Sequence, residues 1–250
     1  MCTLTWLRRA DGFEIFFNRD EKKLRAPERP PEAFERDGVR FLAPRDGQDL
    51  GTWIGVNDRS LAVALLNRYV PDAGPVREAF RSRGLLVMDL LSALHRSEVG
   101  ERLAETELER YRPFSILAAD LAGRARLFEW TGYRLEETED PDGLMPLASS
   151  SFDQALARVH RRQLYADLVA KRGAPPDEQA LLDFHCSHDG GPGPFSVCMH
   201  RPDAETRSFT RVSASPAGVL LRWRAGAPCS GAAELRMELP RAEPRCAASC

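Results

Sequence analysis

Short runs of alternating apolar and polar residues, joined by hairpin signals, open this chain and recur after each helical stretch. Nothing else in the sequence restricts its fold as much. Residues 3–9 alternate, Asp11-Gly12 is a hairpin signal, and 13–18 returns antiparallel. Residues 53–56 and 61–67 pair around Asn57-Asp58-Arg59, and 114–121 with 124–130 turn at Ala122-Gly123 and extend into 134–137. Residues 195–200, 208–215 and 219–223 close the series. Helical periodicity covers 85–94, 97–111 (with a start signal at Ser97), 152–171 after Ser149-Ser150-Ser151, and 177–184. Strands joined by hairpins form antiparallel sheets, and the helices must then cover sheet faces in separate layers. The expected class is an α+β sandwich. No GxGxxG or GxxxxGK[ST] opens a helix, so a nucleotide-phosphate cradle is not expected.

One domain is expected over 1–225, with 22–50 a Pro-, Arg- and Asp-rich loop or lid holding a short strand near 39–42. Residues 226–250 read as a tail with little core material. A chain of 250 residues, 43% hydrophobic and 29% charged, buries a core without staples. Its formal charge of −2 leaves no general field for nucleic acid. No apolar stretch approaches the ~20 residues of a membrane span. The first residues lack the basic-then-apolar order of a secretory signal, so a cytoplasmic location is expected. There, cysteines 2, 186, 198, 229, 246 and 250, with no CxxC among them, are thiols. Cys246 and Cys250 read as exposed tail residues without a role.

Cys2 carries the chemistry. Removal of Met1 would put a thiol and an α-amine on one residue, and an amine with a reference pKa of ~7.7–8.0 is a base near neutrality. The thiolate then needs a cation and the ammonium a carboxylate. The returning strand brings Asn18-Arg19-Asp20-Glu21 beside Cys2, although alternation puts Arg19 and Asp20 on opposite faces unless the chain kinks. A surface salt bridge beside a buried cysteine is the structural alternative.

Met1-Cys2-Thr3-Leu4, Asn18-Arg19-Asp20-Glu21, Gly51-Thr52-Trp53-Ile54-Gly55 and residues 62–69 together resemble the NRDE family, whose animal members are called transport and Golgi organisation protein. The resemblance is strong over the first 70 residues and looser at 147–153 and 195–213. It implies the four-layer αββα sandwich of the N-terminal-nucleophile hydrolases, and it extends to the choloylglycine hydrolase and penicillin V acylase group. By that likeness Cys2 is the nucleophile, Arg19 and Asp20 are its charge partners, and Asn67 is a substrate or oxyanion amide; Asn18 joins them as a substrate contact. Acylases carry an asparagine where this chain has Ser149, which is either a shorter oxyanion donor or part of a helix N-cap. Their late arginine has no clear counterpart, and Arg158, Arg161 and Arg162 read as a solvated helix face.

His185-Cys186-Ser187-His188 and Cys198-Met199-His200 form a second cluster able to bind a metal or haem iron, but its spacing fits no structural zinc pattern, so no metal is expected. His200 reads as lining the cleft or as a hydrogen-bonded core histidine, and Trp53 and Phe41 as pocket walls or core. The leading reading is a cysteine hydrolase of a linear C–N amide or related acyl bond in a small molecule, without a cofactor. The alternative is a non-catalytic haem or acyl-lipid carrier using the same cleft, with Cys2, His185, His188 or His200 on the iron.

Overall fold

A computed structural model of the chain describes residues 2–70, 80–121, 125–173 and 175–242. The turn expected at Ala122-Gly123 and the cysteines Cys246 and Cys250 lie outside the described residues. In chain order the first strands are β1 (Cys2–Arg9), β2 (Gly12–Lys22), β3 (Arg29–Arg36), β4 (Val39–Arg45), β5 (Ile54–Asn57) and β6 (Ala62–Asn67). Helices α1 (Arg83–Leu90) and α2 (Arg96–Glu105) precede β7 (Phe114–Ala119), β8 (Ala125–Trp130), β9 (Leu135–Glu139) and β10 (Leu147–Ser149). Then come α3 (Gln154–Arg172), α4 (Glu178–His185), β11 (Ala204–Ser215), β12 (Gly218–Ala225) and β13 (Glu234–Pro240).

The strands form two antiparallel sheets, ordered β10-β1-β2-β11-β12-β13 and β3-β4-β5-β6-β7-β8-β9. Alternation decides how they stack. Leu4, Trp6, Ile15, Phe17, Val212 and Leu221 on the first sheet meet Ile54, Val56, Ala64, Leu66 and Leu117 on the second. The second sheet's other face, with Val63, Leu65, Phe114, Ile116 and Phe128, is covered by Leu86, Val87, Leu90, Val99 and Leu103 of α1 and α2. The first sheet's outer face meets α3 and α4 over a smaller apolar cluster of Leu7, Phe16, Leu181 and Phe209. The order is therefore helix, sheet, sheet, helix, the expected αββα sandwich. No helix among the described residues is long and apolar enough to cross a membrane.

Four expectations need correction. Residues 22–50 are not one long loop, because β3 and β4 form a hairpin at the edge of the second sheet. Charged residues and Pro30-Pro31 hid β3, whose side chains are mostly exposed, as suits an edge strand. The region after Gly226 is not all tail, since β13 pairs along β12 and buries Leu239. Residues 195–200 form no strand beyond a single bridge from His200 to Glu205. Their carbonyls go to side chains instead: Phe195 and Ser196 accept from Arg161, and Val197 from Asn18. At α2 the start is one turn-position earlier than Ser97, with His95 Nδ1 accepting from the Glu98 N–H at 3.2 Å.

His185 closes the outer layer against the first sheet. It is fully buried, its ring nitrogens lie 2.9 Å from Thr5 Oγ1 and 3.0 Å from Asn18 Oδ1, and Phe16 stacks on it. Burial, with Arg161 adding its positive charge, lowers its pKa to about 3. The folded state thus resists a proton that the unfolded chain takes up below about 6.5, and this residue makes the protein lose stability as pH falls between those values. Wild-type stability relative to His185→Gln should therefore drop by up to roughly 1.4 kcal/mol per pH unit on acidification through that window. Urea melts across pH check it, and a constant difference contradicts it.

Candidate active site

The β1–β2 hairpin puts Cys2 opposite Arg19, and β10 puts Ser149 on its other side. Residues directly opposite in an antiparallel pair project from the same face. Cys2, Arg19 and Ser149 therefore all point toward the second sheet. The kink that would turn Arg19 and Asp20 to one face is absent, because β2 keeps its register with β1; the irregularity is a bulge in β11 between Thr206 and Ser208, opposite Asp20 and Arg19. Asp20 contributes to the two faces differently. Its backbone N–H is directed at the Cys2 thiol, while its carboxylate accepts from Thr206 Oγ1 at 2.6 Å and from Arg161 on the helix side.

Cys2 is 7% exposed and opens into a cleft of about 350 Å³ where the ends of β2 and β6 meet the 46–53 loop and the start of α1. Arg19, Trp53 and Asn67 line the same cleft. Arg19 lies 4.4 Å over the Trp53 ring and pairs with Asp46 at 2.6 Å and Glu28 at 2.9 Å, so acids already hold its charge. Burial works against Asp46, yet hydrogen bonds from Arg25 and the Asp49 N–H, with Arg19 nearby, hold its carboxyl down at about 2. Glycine is required at position 51 of the Gly-Thr-Trp motif. A Cβ there would lie 2.3 Å from the backbone of Gly84, whose carbonyl accepts from Thr52 N–H. That close approach docks α1 on the loop and brings Arg83 to the cleft.

Arg83 and Arg112 have no carboxylate partner among the described residues. Arg83 donates to the Pro113 carbonyl at 2.8 Å, and Arg112 lies over the Phe80 ring. Burial, reinforced by the like charge of Arg112, brings Arg83 down to about 10. A cleft with uncompensated guanidinium groups is suited to an anion.

Arg161 is not on a solvated helix face. It is fully buried on the inner face of α3, and its five N–H groups reach Phe195 O, Cys2 O, Thr3 Oγ1, Asp20 Oδ2 and Ser196 O. The available signal was Ala157 four residues earlier, because these two are the residues α3 buries and i, i+4 share a face. Arg83 and Arg112 carried no comparable signal.

Ser149 does not cap α3; Asp153 does, accepting from the Leu156 N–H at 2.9 Å. The Ser149 hydroxyl is buried beside Cys2 without a hydrogen-bond partner among the described residues, as is Trp53 Nε1. Asn18 is absent from the cleft wall, since its amide spans His185 and Val197 on the outer face. His200 is absent as well and faces Cys198, Cys229 and His188. Phe41 packs under the helices on the far side of the second sheet. His185, sealed in the core, cannot reach an iron in this cleft.

The family model described as Transport and Golgi organisation 2 matches residues 1–185. No curated protein sequence matches the chain. Among solved structures, penicillin V acylase from Agrobacterium tumefaciens is similar with a TM-score of 0.58 at 10% identity, covering 96% of this chain and 86% of that one. A Caenorhabditis elegans orthologue of N-acylethanolamine-hydrolyzing acid amidase gives 0.57 at 13% identity, covering 84% and 92%. Conjugated bile acid hydrolase from Clostridium perfringens gives 0.53 at 12% identity, covering 96% and 98%. At these identities the likeness establishes the fold.

Burial pushes the Cys2 thiol up, and Asp20 adds to it, while Arg19 and the Asp20 N–H pull the other way without prevailing. In the full chain, iodoacetamide alkylation of the Cys2 peptide, followed by mass spectrometry across pH, should have its midpoint above 9.0. A midpoint in the range of activated thiols contradicts this reading of the pocket.

Proposed function

The chain belongs to the Transport and Golgi organisation 2 family, and on that premise we propose that it is a cysteine hydrolase that cleaves a linear amide bearing an anionic group. The observation that carries the reading is that Cys2 shares one cleft with Asn67 and with the guanidinium groups of Arg83 and Arg112, which have no carboxylate partner among the described residues. A thiol raised by burial is a poor nucleophile alone, so it needs a base within reach. Removal of Met1 supplies one in the Cys2 α-amine.

The amine takes the thiol proton as Sγ attacks the amide carbon. The Asn67 amide and the orphan Ser149 hydroxyl donate to the oxyanion, each contact of this kind being worth roughly 2.7–4 kcal/mol. The ammonium then protonates the leaving amine, the C–N bond breaks, and a thioester remains. Water, deprotonated by the same amine, hydrolyses it and restores the thiol. Arg161 is a positioning residue in this scheme, since it holds the Cys2 carbonyl and the Asp20 carboxylate. Arg83 and Arg112 receive the anionic group, and a cleft of about 350 Å³ suits a small molecule. The scheme uses no cofactor.

The test compares N-acyl glycines with the matching N-acyl ethanolamines, which differ by a carboxylate, using protein whose N-terminal Cys2 is verified by intact mass. The glycines should be cleaved faster, Cys2→Ala should abolish turnover, and Arg83→Met should lower kcat/KM for the glycine series roughly ten- to a hundredfold. It should change the ethanolamine series little. Absence of turnover by verified protein, with stoichiometric binding of haem or an acyl lipid instead, would establish the carrier reading in its place.

A further inference from the structure

Beyond residue 185, where the family match ends, four soft donor side chains from three separate turns converge. His188 lies in the loop after α4, Cys198 and His200 flank Met199 before β11, and Cys229 sits in the single helical turn Pro228–Ser230. Every pair of their donor atoms lies within 4.8 Å. The resolved edges are 3.2 Å between His200 Nε2 and His188 Nε2, 3.3 Å between Cys229 Sγ and His200 Nε2, and 3.5 Å between Cys198 Sγ and His200 Nε2. The two sulfurs are 3.5 Å apart.

A tetrahedron with Zn–N of about 2.0–2.1 Å and Zn–S of about 2.3 Å has edges of roughly 3.3 Å between nitrogens, 3.6 Å for nitrogen to sulfur and 3.8 Å between sulfurs. The observed edges follow that pattern within a few tenths of an ångström. We propose that His188, Cys198, His200 and Cys229 form a structural Cys2His2 zinc site. The expectation of no metal weighed ligands within residues 185–200 alone, whereas the fourth donor here comes from the turn after β12. The donor set disfavours magnesium and calcium, which take oxygen ligands, and suits zinc. With both thiols deprotonated, two negative sulfurs neutralise the dication, and their two protons leave to solvent.

The fold gives this site a purpose. Residues 186–203 lack regular secondary structure apart from the His200 bridge, and few backbone bonds, such as Cys198 N–H to Ser187 O, tie them down. Yet this segment supplies the Phe195 and Ser196 carbonyls that anchor Arg161. A metal joining 188, 198 and 200 to Cys229 fixes the segment to the turn that follows β12. Cys186 lies close enough to Cys229 to feel its charge but is not one of the four.

The inference stands apart from the hydrolase reading and is read without turnover. Chain purified under reducing conditions without a histidine tag should hold about one zinc per molecule by elemental mass spectrometry. Replacement by Co(II) should give tetrahedral d–d bands and a thiolate-to-cobalt charge-transfer band. Cys229→Ser and His188→Gln, both at exposed ligands, should each weaken zinc at least roughly tenfold in competition with a chelator. Cys186→Ser should retain wild-type affinity. Wild-type protein that takes up less than about a tenth of an equivalent from a zinc buffer would overturn the site, as would ligand variants that bind like wild type. So would a cobalt spectrum without the thiolate band, or a Cys198–Cys229 disulfide in place of metal.

Discussion

The buried guanidinium of Arg161 is the interaction on which the site's geometry depends. It joins α3 to the start of β1, to the end of β2 and to the irregular segment at 195–196, with all five of its N–H groups engaged. A cation in such surroundings is tolerable only because each donor has an acceptor and Asp20 supplies a counter-charge. Removing one partner of a buried ion pair typically costs about 3–5 kcal/mol. The same contacts fix the Cys2 backbone, so the nucleophile candidate is held from the face opposite its side chain.

On the cleft side the charges are divided. Acids from the 46–49 loop and Glu28 surround Arg19 and Arg25, leaving little field for the thiol. The start of α1 and the residues before β7 bring Arg83 and Arg112 to the opposite wall without acids. The cleft thus holds two kinds of guanidinium, one paired with carboxylates and one without a carboxylate partner among the described residues. The close contact of Gly51 with Gly84 makes this division, because it sets the spacing between the two walls.

Much of this was legible in the residues. The β1–β2 hairpin followed from alternation and Asp11-Gly12, and its register alone carried Arg19 to Cys2. Asn67 and Trp53 reached the cleft as expected because they end and begin short strands or loops at one end of the sheets. Asn18 did not, since strand alternation turns it to the outer face, where it binds His185 and the 197 carbonyl. The residues at 195–200 alternate like a strand, but Arg161 and Asn18 take their carbonyls and no ladder forms. The edge strands β3 and β13 were obscure because most of their side chains face solvent, so no apolar rhythm marks them.

By itself the sequence determined the layers and the hairpin, since period-2 burial and turn chemistry are local properties written in neighbouring residues. It also determined which sulfur stands beside Arg19. Tertiary structure alone decided that Arg161 is buried rather than solvated, that His200 turns to two cysteines rather than to the cleft, and which arginines remain without acids. Those outcomes depend on partners distant in sequence, such as Thr3, 158 residues from Arg161, and Cys229, 29 residues from His200. Whether a long polar side chain is sealed or solvated depends on what packs over it, and local pattern carries no record of that.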